Sequence, residues 1–302
     1  MPTSQLLIHT PPHFHLWRTV FSHGWCSLPP FSVDQAKHTF GLLLRLSDGN
    51  LARCSISNGA KALTVEVQMR GSLTHAQKQV ITTQLSASLR LDEDLSDFYS
   101  IARKHRRFQW IPRLKAGRLL RAPTVFEDVV KMICTTNCTW ALTTIMVTNL
   151  TTKLGERFDD GLYSFPTLER LAGATERFLR KEVRAGYRSP YLLELAKRVA
   201  SKKLDLESWR TSQLPTDQLY KVIRSVKGVG DYAAGNILKL LGRYDYLGLD
   251  SWVRAKFYKH HRNGRKVGDK TIEQAYAQYG KWRGLFFWLE MTSDWYTRKF
   301  PF

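Results

Sequence analysis

Two short segments in the last third of the chain carry residue types that could do chemistry. The first is Val226-Lys227-Gly228-Val229-Gly230, in which two glycines stand two residues apart. The second, about twenty residues later, places Asp250 between an apolar stretch and a predicted helix. Paired glycines allow a tight turn whose backbone N–H groups bind an anion such as phosphate. A carboxylate can orient water or stabilise a developing positive charge.

Helical periodicity predicts the elements that would position both segments. Asp217–Val226 and Asp231–Leu241 read as two helices joined by the glycine turn, a hairpin spanning residues 219–241. The glycine pair by itself also fits a plain helix–helix turn. Asp250 is expected to cap the next helix, because Asp is favoured at that position whatever its function. Capping and catalysis are compatible, since a capping carboxylate is held rigidly.

The first hundred residues predict a small antiparallel sheet. Leu63–Met69 alternates apolar and polar side chains, which is typical of a half-buried strand. The runs Leu42–Leu46 and Leu51–Ile56 precede it, and the turn signals Asp48-Gly49 and Asn58-Gly59 allow the three to pair as a meander.

Helical patterns follow the sheet. A capping box at Thr74 opens a helix through about Leu89, and Thr124 opens another. Tyr191–Ala196 lies in a further helix. We therefore predict a mainly α protein with an N-terminal α+β domain over residues 1–98 and a helical domain over residues 99–302.

The composition indicates a globular protein with an anionic partner. The net charge is +20, and 43% of the residues are hydrophobic. The first 100 residues hold 8 basic and 7 acidic residues, so nearly the whole excess lies in the remainder. Nucleic acid is the commonest partner of such a surface, and solubility or an anionic membrane are alternatives. We see no secretory signal and no membrane span, so we expect a cytoplasmic protein, nucleoid-associated if bacterial and nuclear if eukaryotic, with its cysteines reduced.

Taken together, these segments resemble the helix-hairpin-helix superfamily of DNA glycosylases over roughly residues 35–300. The resemblance rests on the glycine turn, on Ala233-Ala234-Gly235 and on Asp250 at its distance from them. Three other segments agree. Two resemble 8-oxoguanine DNA glycosylases, namely Ile133-Cys134-Thr135-Thr136-Asn137 and Arg184-Ala185-Gly186-Tyr187-Arg188. The third resembles 3-methyladenine DNA glycosylase II, namely Tyr279-Gly280-Lys281-Trp282-Arg283-Gly284.

One departure from the family pattern bears on mechanism. Bifunctional members place a lysine two residues after the second hairpin glycine, where its amine attacks the sugar and forms a Schiff base. This chain has Tyr232 there. The resemblance therefore implies a monofunctional hydrolase with no lyase lysine, in which Asp250 directs water at the sugar. No cysteine follows Cys138, so no iron–sulfur cluster is expected.

The resemblance also implies how DNA and the base are held. A monomer would bind damaged double-stranded DNA and extrude the target nucleotide. The expected DNA contacts are Gly228, Val229, Gly230, Lys227, Asn137 and Arg188. The expected base-pocket residues are Tyr232, Tyr187, Trp252 and Trp282. No cofactor is required, although the carbonyls of Val226 and Gly228 are expected to hold a structural Na⁺ or K⁺ ion.

The substrate remains open between two branches of the family. The absent lysine and the Tyr279–Gly284 segment favour an alkylated purine, whereas Cys134–Asn137 and Gly186-Tyr187-Arg188 favour an oxidised purine of the 8-oxoguanine type. A non-catalytic DNA-binding protein is a further alternative, because helix-hairpin-helix elements also serve as plain binding modules. Release of a damaged base would distinguish an enzyme from a binder.

Overall fold

Alternating apolar side chains in the first seventy residues form one antiparallel sheet in the computed structural model, which describes residues 1–59, 62–158, 161–297 and 300–301. The strands pair in the order β1-β5-β4-β3-β2. They are β1 (Thr3–His9), β2 (Phe31–Asp34), β3 (Thr39–Arg45), β4 (Leu51–Asn58) and β5 (Ala62–Met69). The predicted meander of the last three strands is confirmed. Both edge strands lie outside that prediction.

Helices make up most of the remaining chain. The first eight are α1 (Leu16–Val20), α2 (His75–Leu89), α3 (Ser96–Lys104), α4 (Trp110–Leu114), α5 (Val125–Thr135), α6 (Trp140–Leu154), α7 (Leu168–Ala172) and α8 (Glu176–Lys181). The others are α9 (Ser189–Ala200), α10 (Thr216–Arg224), α11 (Asp231–Leu240), α12 (Ser251–Arg262), α13 (Asp269–Tyr276), α14 (Arg283–Met291) and α15 (Ser293–Thr297). Within the described residues, every helix is too short or too polar to span a lipid bilayer.

Side-chain caps begin the helices where the sequence predicts them. Thr74 and Gln77 exchange both hydrogen bonds of a capping box at the start of α2. The Thr124 hydroxyl accepts from the backbone N–H of Glu127 at 3.1 Å and opens α5. These predicted helix starts are confirmed, because such caps depend on residues only three positions apart.

Buried side chains form two large clusters. The first cluster joins the sheet to α5, α6 and α9–α11 and ends at Leu240. The second joins α3 and α4 to α12–α14 and includes Tyr244 and Leu247. Leu95 and Phe98, at the predicted boundary between domains, pack in this second cluster. The division of the chain at residue 98 stays a prediction.

Candidate active site

Asp250 ends the loop that follows α11 and caps α12. Its Oδ1 accepts a hydrogen bond from the backbone N–H of Val253 at 2.8 Å, and α12 begins at Ser251. The predicted N-cap is confirmed. Because rotation of the side chain would break this bond, the cap fixes the direction of the carboxylate.

The loop before Asp250 lies directly against α11 because each contributes a glycine. A Cβ on Gly235 would lie 2.9 Å from the Cα of Gly248. Gly248 has a φ of +64°, and a Cβ there would lie 2.8 Å from Asn236 Nδ2. This close approach lets polar side chains of α11 reach the carbonyls of the loop.

A cavity of roughly 310 Å³ opens beside Asp250, between the two buried clusters. Five tryptophans line it, namely Trp25, Trp140, Trp252, Trp288 and Trp295. Its polar residues include His23, Tyr232, Asn236, Lys239 and Asp250. Tyr232 and Trp252 therefore lie where the sequence predicts pocket residues. Such a chamber can hold a flat aromatic ligand with one edge facing polar groups.

Two of the polar residues are neutral near pH 7. Burial lowers the pKa of His23 to about 4, and its Nε2 lies 2.5 Å from the carbonyl oxygen of Leu120. Burial, and secondarily the negative charge of Asp250, raise the pKa of Tyr232 to about 12. Tyr232 therefore presents a neutral phenol to the cavity.

Lys239 is a cavity residue that the sequence analysis missed. Its side chain is buried, and its Nζ donates to Leu247 O at 2.6 Å and to Asn236 Oδ1 at 3.1 Å. Burial lowers the pKa of the ammonium to about 7, and the negative charge of Asp250 offsets only part of that effect. The signal available in the sequence is its spacing, because Tyr232, Asn236 and Lys239 recur at one face of α11.

The two hairpin glycines serve different purposes. Gly228 has a φ of +85°, and a Cβ there would lie 2.8 Å from the ring of Tyr191. Gly230 is extended, and among the described residues nothing lies within 4 Å of the position of its Cβ. Gly228 is therefore required by the turn, whereas Gly230 leaves the first N–H groups of α11 facing an open groove.

This hairpin groove adjoins the cavity. Both predicted glycines and Val229 line it, together with Asn137 of the loop between α5 and α6. Tyr232 lines the groove and the cavity alike, so it marks the passage between them.

Charged residues of the hairpin are paired within the protein. Lys227 Nζ lies 2.8 Å from Glu194 Oε2, with 66% of the lysine side chain exposed. Arg224 pairs with Asp231 at 2.8 Å and also donates to Val229 O at 3.2 Å. Lys227 is thus on the surface but outside the residues that line the groove.

The monovalent ion expected at the carbonyls of Val226 and Gly228 stays a prediction. The carbonyl of Val226 accepts from the backbone N–H of Val229 at 3.0 Å. The carbonyl of Val229 accepts a hydrogen bond from the guanidinium of Arg224 at 3.2 Å. Among the described residues, no cluster of His, Cys, Asp and Glu is arranged to hold a metal.

Arg188 and Tyr187, predicted to contact the DNA and the base, both donate hydrogen bonds to the loop that carries Asn137. Arg188 is only 3% exposed, and its guanidinium donates to the carbonyl of Thr136. The Tyr187 hydroxyl donates to the same carbonyl at 3.3 Å. Burial contradicts a direct DNA contact of Arg188, which instead positions the loop. Tyr187 lines the hairpin groove rather than the cavity.

Trp282 is a core residue, which contradicts its predicted place in the base pocket. Its ring packs against Phe98 and Tyr244 in the second buried cluster. Its Nε1 donates to Asp97 Oδ2 at 2.6 Å. Trp288 supplies the cavity wall that we assigned to Trp282.

Comparison with known proteins finds relatives among enzymes that act on DNA. No family model matches the chain. The chain is 24% identical over 212 residues to a probable N-glycosylase/DNA lyase of Methanothermobacter thermautotrophicus, covering 62% of this chain and 66% of that protein. It is 28% identical over 177 residues to the N-glycosylase/DNA lyase of Saccharomyces cerevisiae, covering 52% of this chain and 45% of that protein. The chain therefore spans less than two thirds of the length of these relatives.

Solved structures from both predicted branches share the fold. A 3-methyladenine DNA glycosylase from Archaeoglobus fulgidus aligns with a TM-score of 0.72 at 18% identity, covering 97% of this chain and 99% of that one. An 8-oxoguanine glycosylase/lyase from Clostridium acetobutylicum aligns with a TM-score of 0.70 at 18% identity, covering 95% of each. The predicted helix-hairpin-helix glycosylase fold is confirmed, as is the resemblance to both branches.

The names of the two curated relatives correct the prediction of a monofunctional hydrolase. Both curated relatives are named N-glycosylase/DNA lyases, so the absence of a lysine at position 232 is insufficient ground for excluding lyase chemistry. The inference was wrong because it considered a single position, whereas an amine can reach the same cavity from another turn of the helix.

Proposed function

We propose that the protein is a DNA glycosylase of base excision repair that removes a damaged base from double-stranded DNA and also acts as a DNA lyase. The observation that carries this proposal is the placement of Asp250, fixed by its cap at an aromatic cavity beside the hairpin groove. The names of both curated relatives support the two activities.

The hairpin groove is the proposed DNA-binding surface. The N-terminus of α11, uncapped by a side chain at Gly230, favours a phosphate through its free N–H groups and helix dipole. Asn137 is held in a left-handed conformation at a φ of +46°, and we infer that its side chain enters the space that a flipped nucleotide vacates. Such contacts position the DNA without reading its sequence.

The cavity is the proposed site of the flipped base. Ligand pockets in proteins begin at about 300 Å³, so a cavity of roughly 310 Å³ suits a single base. Trp252 and Trp288, with ring centroids 6.4 Å apart, belong to its wall. Stacking on tryptophan contributes about 1–3 kcal/mol per base, which offsets the unstacking of the nucleotide.

Asp250 is the proposed catalytic carboxylate. Departure of the base leaves positive character on the sugar, and a fixed negative charge stabilises that state more than the ground state. The N-cap hydrogen bond to Val253 holds one carboxylate oxygen in place. The carboxylate therefore requires little reorganisation during the reaction.

We propose alkylated purines as the first substrate class. Alkylation of a purine ring nitrogen gives the base a positive charge, and the faces of tryptophans attract such a cation. Five tryptophans line the cavity. The lowered pKa of Lys239 leaves little opposing charge there above neutral pH.

Oxidised purines are the second candidate. The 8-oxoguanine glycosylase/lyase from Clostridium acetobutylicum shares the fold, and both curated relatives carry lyase names. The neutral phenol of Tyr232 lines the cavity and can donate a hydrogen bond there, which suits a neutral base with an added carbonyl.

A panel of duplexes that differ in one central base tests this function. The bases are an alkylated purine, an oxidised purine, a deaminated base, a mismatched base and an undamaged control. We expect base release from a damaged purine, fastest from the alkylated one, and loss of release in Asp250→Asn. Binding to every duplex without release from any of them would identify a DNA-binding protein rather than an enzyme.

A further inference from the structure

Lys239 is buried, lines the cavity and lies near the carboxylate of Asp250. A purely structural role would not require this combination. A buried ammonium is costly unless it is paired. Lys131, also fully buried, follows that rule through a 2.6 Å ion pair with Glu127. Lys239 has only neutral hydrogen-bond acceptors, Asn236 Oδ1 and Leu247 O, among the described residues.

Those two acceptors match the neutral amine. An uncharged –NH₂ group has two N–H donors, and Asn236 and Leu247 accept from both. The nitrogen lone pair then remains free for a partner in the cavity. Burial favours this form by lowering the pKa of Lys239 to about 7, so a substantial fraction is nucleophilic at neutral pH.

Lys239 also has the right place in the fold. It lies seven residues after Tyr232 on α11, two turns along the same face, and both line the cavity with Asp250. Among the described residues that line this cavity, Lys239 is the one primary amine. Lys227, on the hairpin, is exposed and paired with Glu194.

We propose that Lys239 is the nucleophile that attacks C1′ of the flipped nucleotide and forms the covalent intermediate of strand cleavage. This inference rests on the proposed function, and it assigns the amine to α11 two turns beyond the hairpin.

The proposed step balances without any oxidant or reductant. The Nζ lone pair bonds to C1′ while the bond from C1′ to the base breaks. A cationic alkylated purine leaves as a neutral base, so Nζ gives its first proton to water, whereas an oxidised purine leaves as an anion and takes that proton itself. The C1′–O4′ bond then opens to an imine between C1′ and Nζ, and O4′ takes the second proton. Loss of a C2′ proton to water breaks the C3′–O bond and expels the phosphate. Water finally hydrolyses the imine and restores the amine.

Reductive trapping tests this assignment independently of base release. The full chain is incubated with a duplex containing a preformed abasic site and with borohydride, and the adduct is mapped by peptide mass spectrometry. We expect the adduct at Lys239. In Lys239→Met, trapping should fall at least about 100-fold, whereas in the control Lys153→Met, at a surface lysine of α6 that pairs with Glu182, it should be unchanged. Trapping by the wild type should rise with pH, with its midpoint near 7.

Mapping the wild-type adduct decides the question even if Lys239→Met folds poorly. An adduct on another amine, full trapping in a folded Lys239→Met, or base release by a wild type that forms no adduct would overturn the assignment. Failure of the proposed glycosylase function looks different, because the abasic duplex would still be trapped at Lys239 while no damaged base is released.

Discussion

Replacing Asp250 with Asn separates the charge of the carboxylate from its structural role. Asn is as favourable an N-cap as Asp, so its side-chain oxygen should still accept from the backbone N–H of Val253, as Asp250 does at 2.8 Å. We therefore expect α12 and the wall of the cavity to remain in place. The variant loses only the negative charge that faces the reacting sugar.

The expected effect on base release follows from that charge. Opposite unit charges about 4 Å apart interact by about 4 kcal/mol at the effective dielectric near a protein surface. The sugar carries only part of a positive charge in the transition state, so a loss of about 3 kcal/mol is reasonable, or about 100-fold in rate. DNA affinity should stay equal or rise, because a negative charge has left a surface that faces a polyanion.

Single-turnover base release and equilibrium binding, measured on the same damaged duplex, separate these effects. We expect release to slow about 100-fold at an unchanged or lower Kd. The charge of Asp250 raises the pKa of Lys239, so the pH midpoint of imine trapping should also move to lower pH in the variant. Wild-type release by a folded Asp250→Asn would refute the role of the charge.

Three further predictions concern the hairpin, the lysine and the charged surface. Gly228→Ala should lower the melting temperature, because Gly228 has a φ of +85° and its Cβ would meet the ring of Tyr191. Gly230→Ala should fold normally and weaken binding to damaged and undamaged DNA alike. Unchanged DNA affinity in Gly230→Ala would remove this turn from the DNA interface. The pKa of Lys239 falls from 10.5 in the unfolded chain to about 7 in the folded protein, so the folded protein binds this proton less readily. Lys239→Met should therefore gain stability relative to the wild type as pH falls from 10 to 7, and gain little below pH 7. Denaturant unfolding across this range measures the difference, and a stability difference that is constant with pH would contradict the lowered pKa. Neutralising about five phosphates predicts a slope of log K against log salt near −4 to −5, and a flat response would indicate a partner other than DNA.

Features set by neighbouring residues were predictable from the sequence. The meander of β3 to β5 follows from side-chain alternation and from the two turn signals between the strands. The starts of α2, α5 and α12 follow from caps that need a span of only three residues. The hairpin follows from helical periodicity on both sides of a glycine turn. Each of these features is fixed by local backbone chemistry, so distant contacts did not alter it.

Features set by packing between distant segments were harder to predict. Trp282 and Trp288 have the same side chain six residues apart, yet the first packs in the second buried cluster and the second lines the cavity. Arg188 was expected to contact DNA, because the Arg184–Arg188 segment resembles one in 8-oxoguanine DNA glycosylases. Its burial depends on the carbonyl of Thr136, which lies 52 residues away in the chain. Residue type could not distinguish these outcomes.

The lysine illustrates why a missing motif residue does not settle a mechanism. What the chemistry requires is an amine at a cavity beside a carboxylate, and a helix presents several turns to the same cavity. Here the approach of Gly248 to Gly235 brings Leu247 O within 2.6 Å of Lys239 Nζ. That contact holds the amine at the cavity two turns beyond Tyr232, where burial makes it a better nucleophile. The position of the loop before Asp250, rather than a residue at the hairpin, therefore determines which side chain of α11 can react.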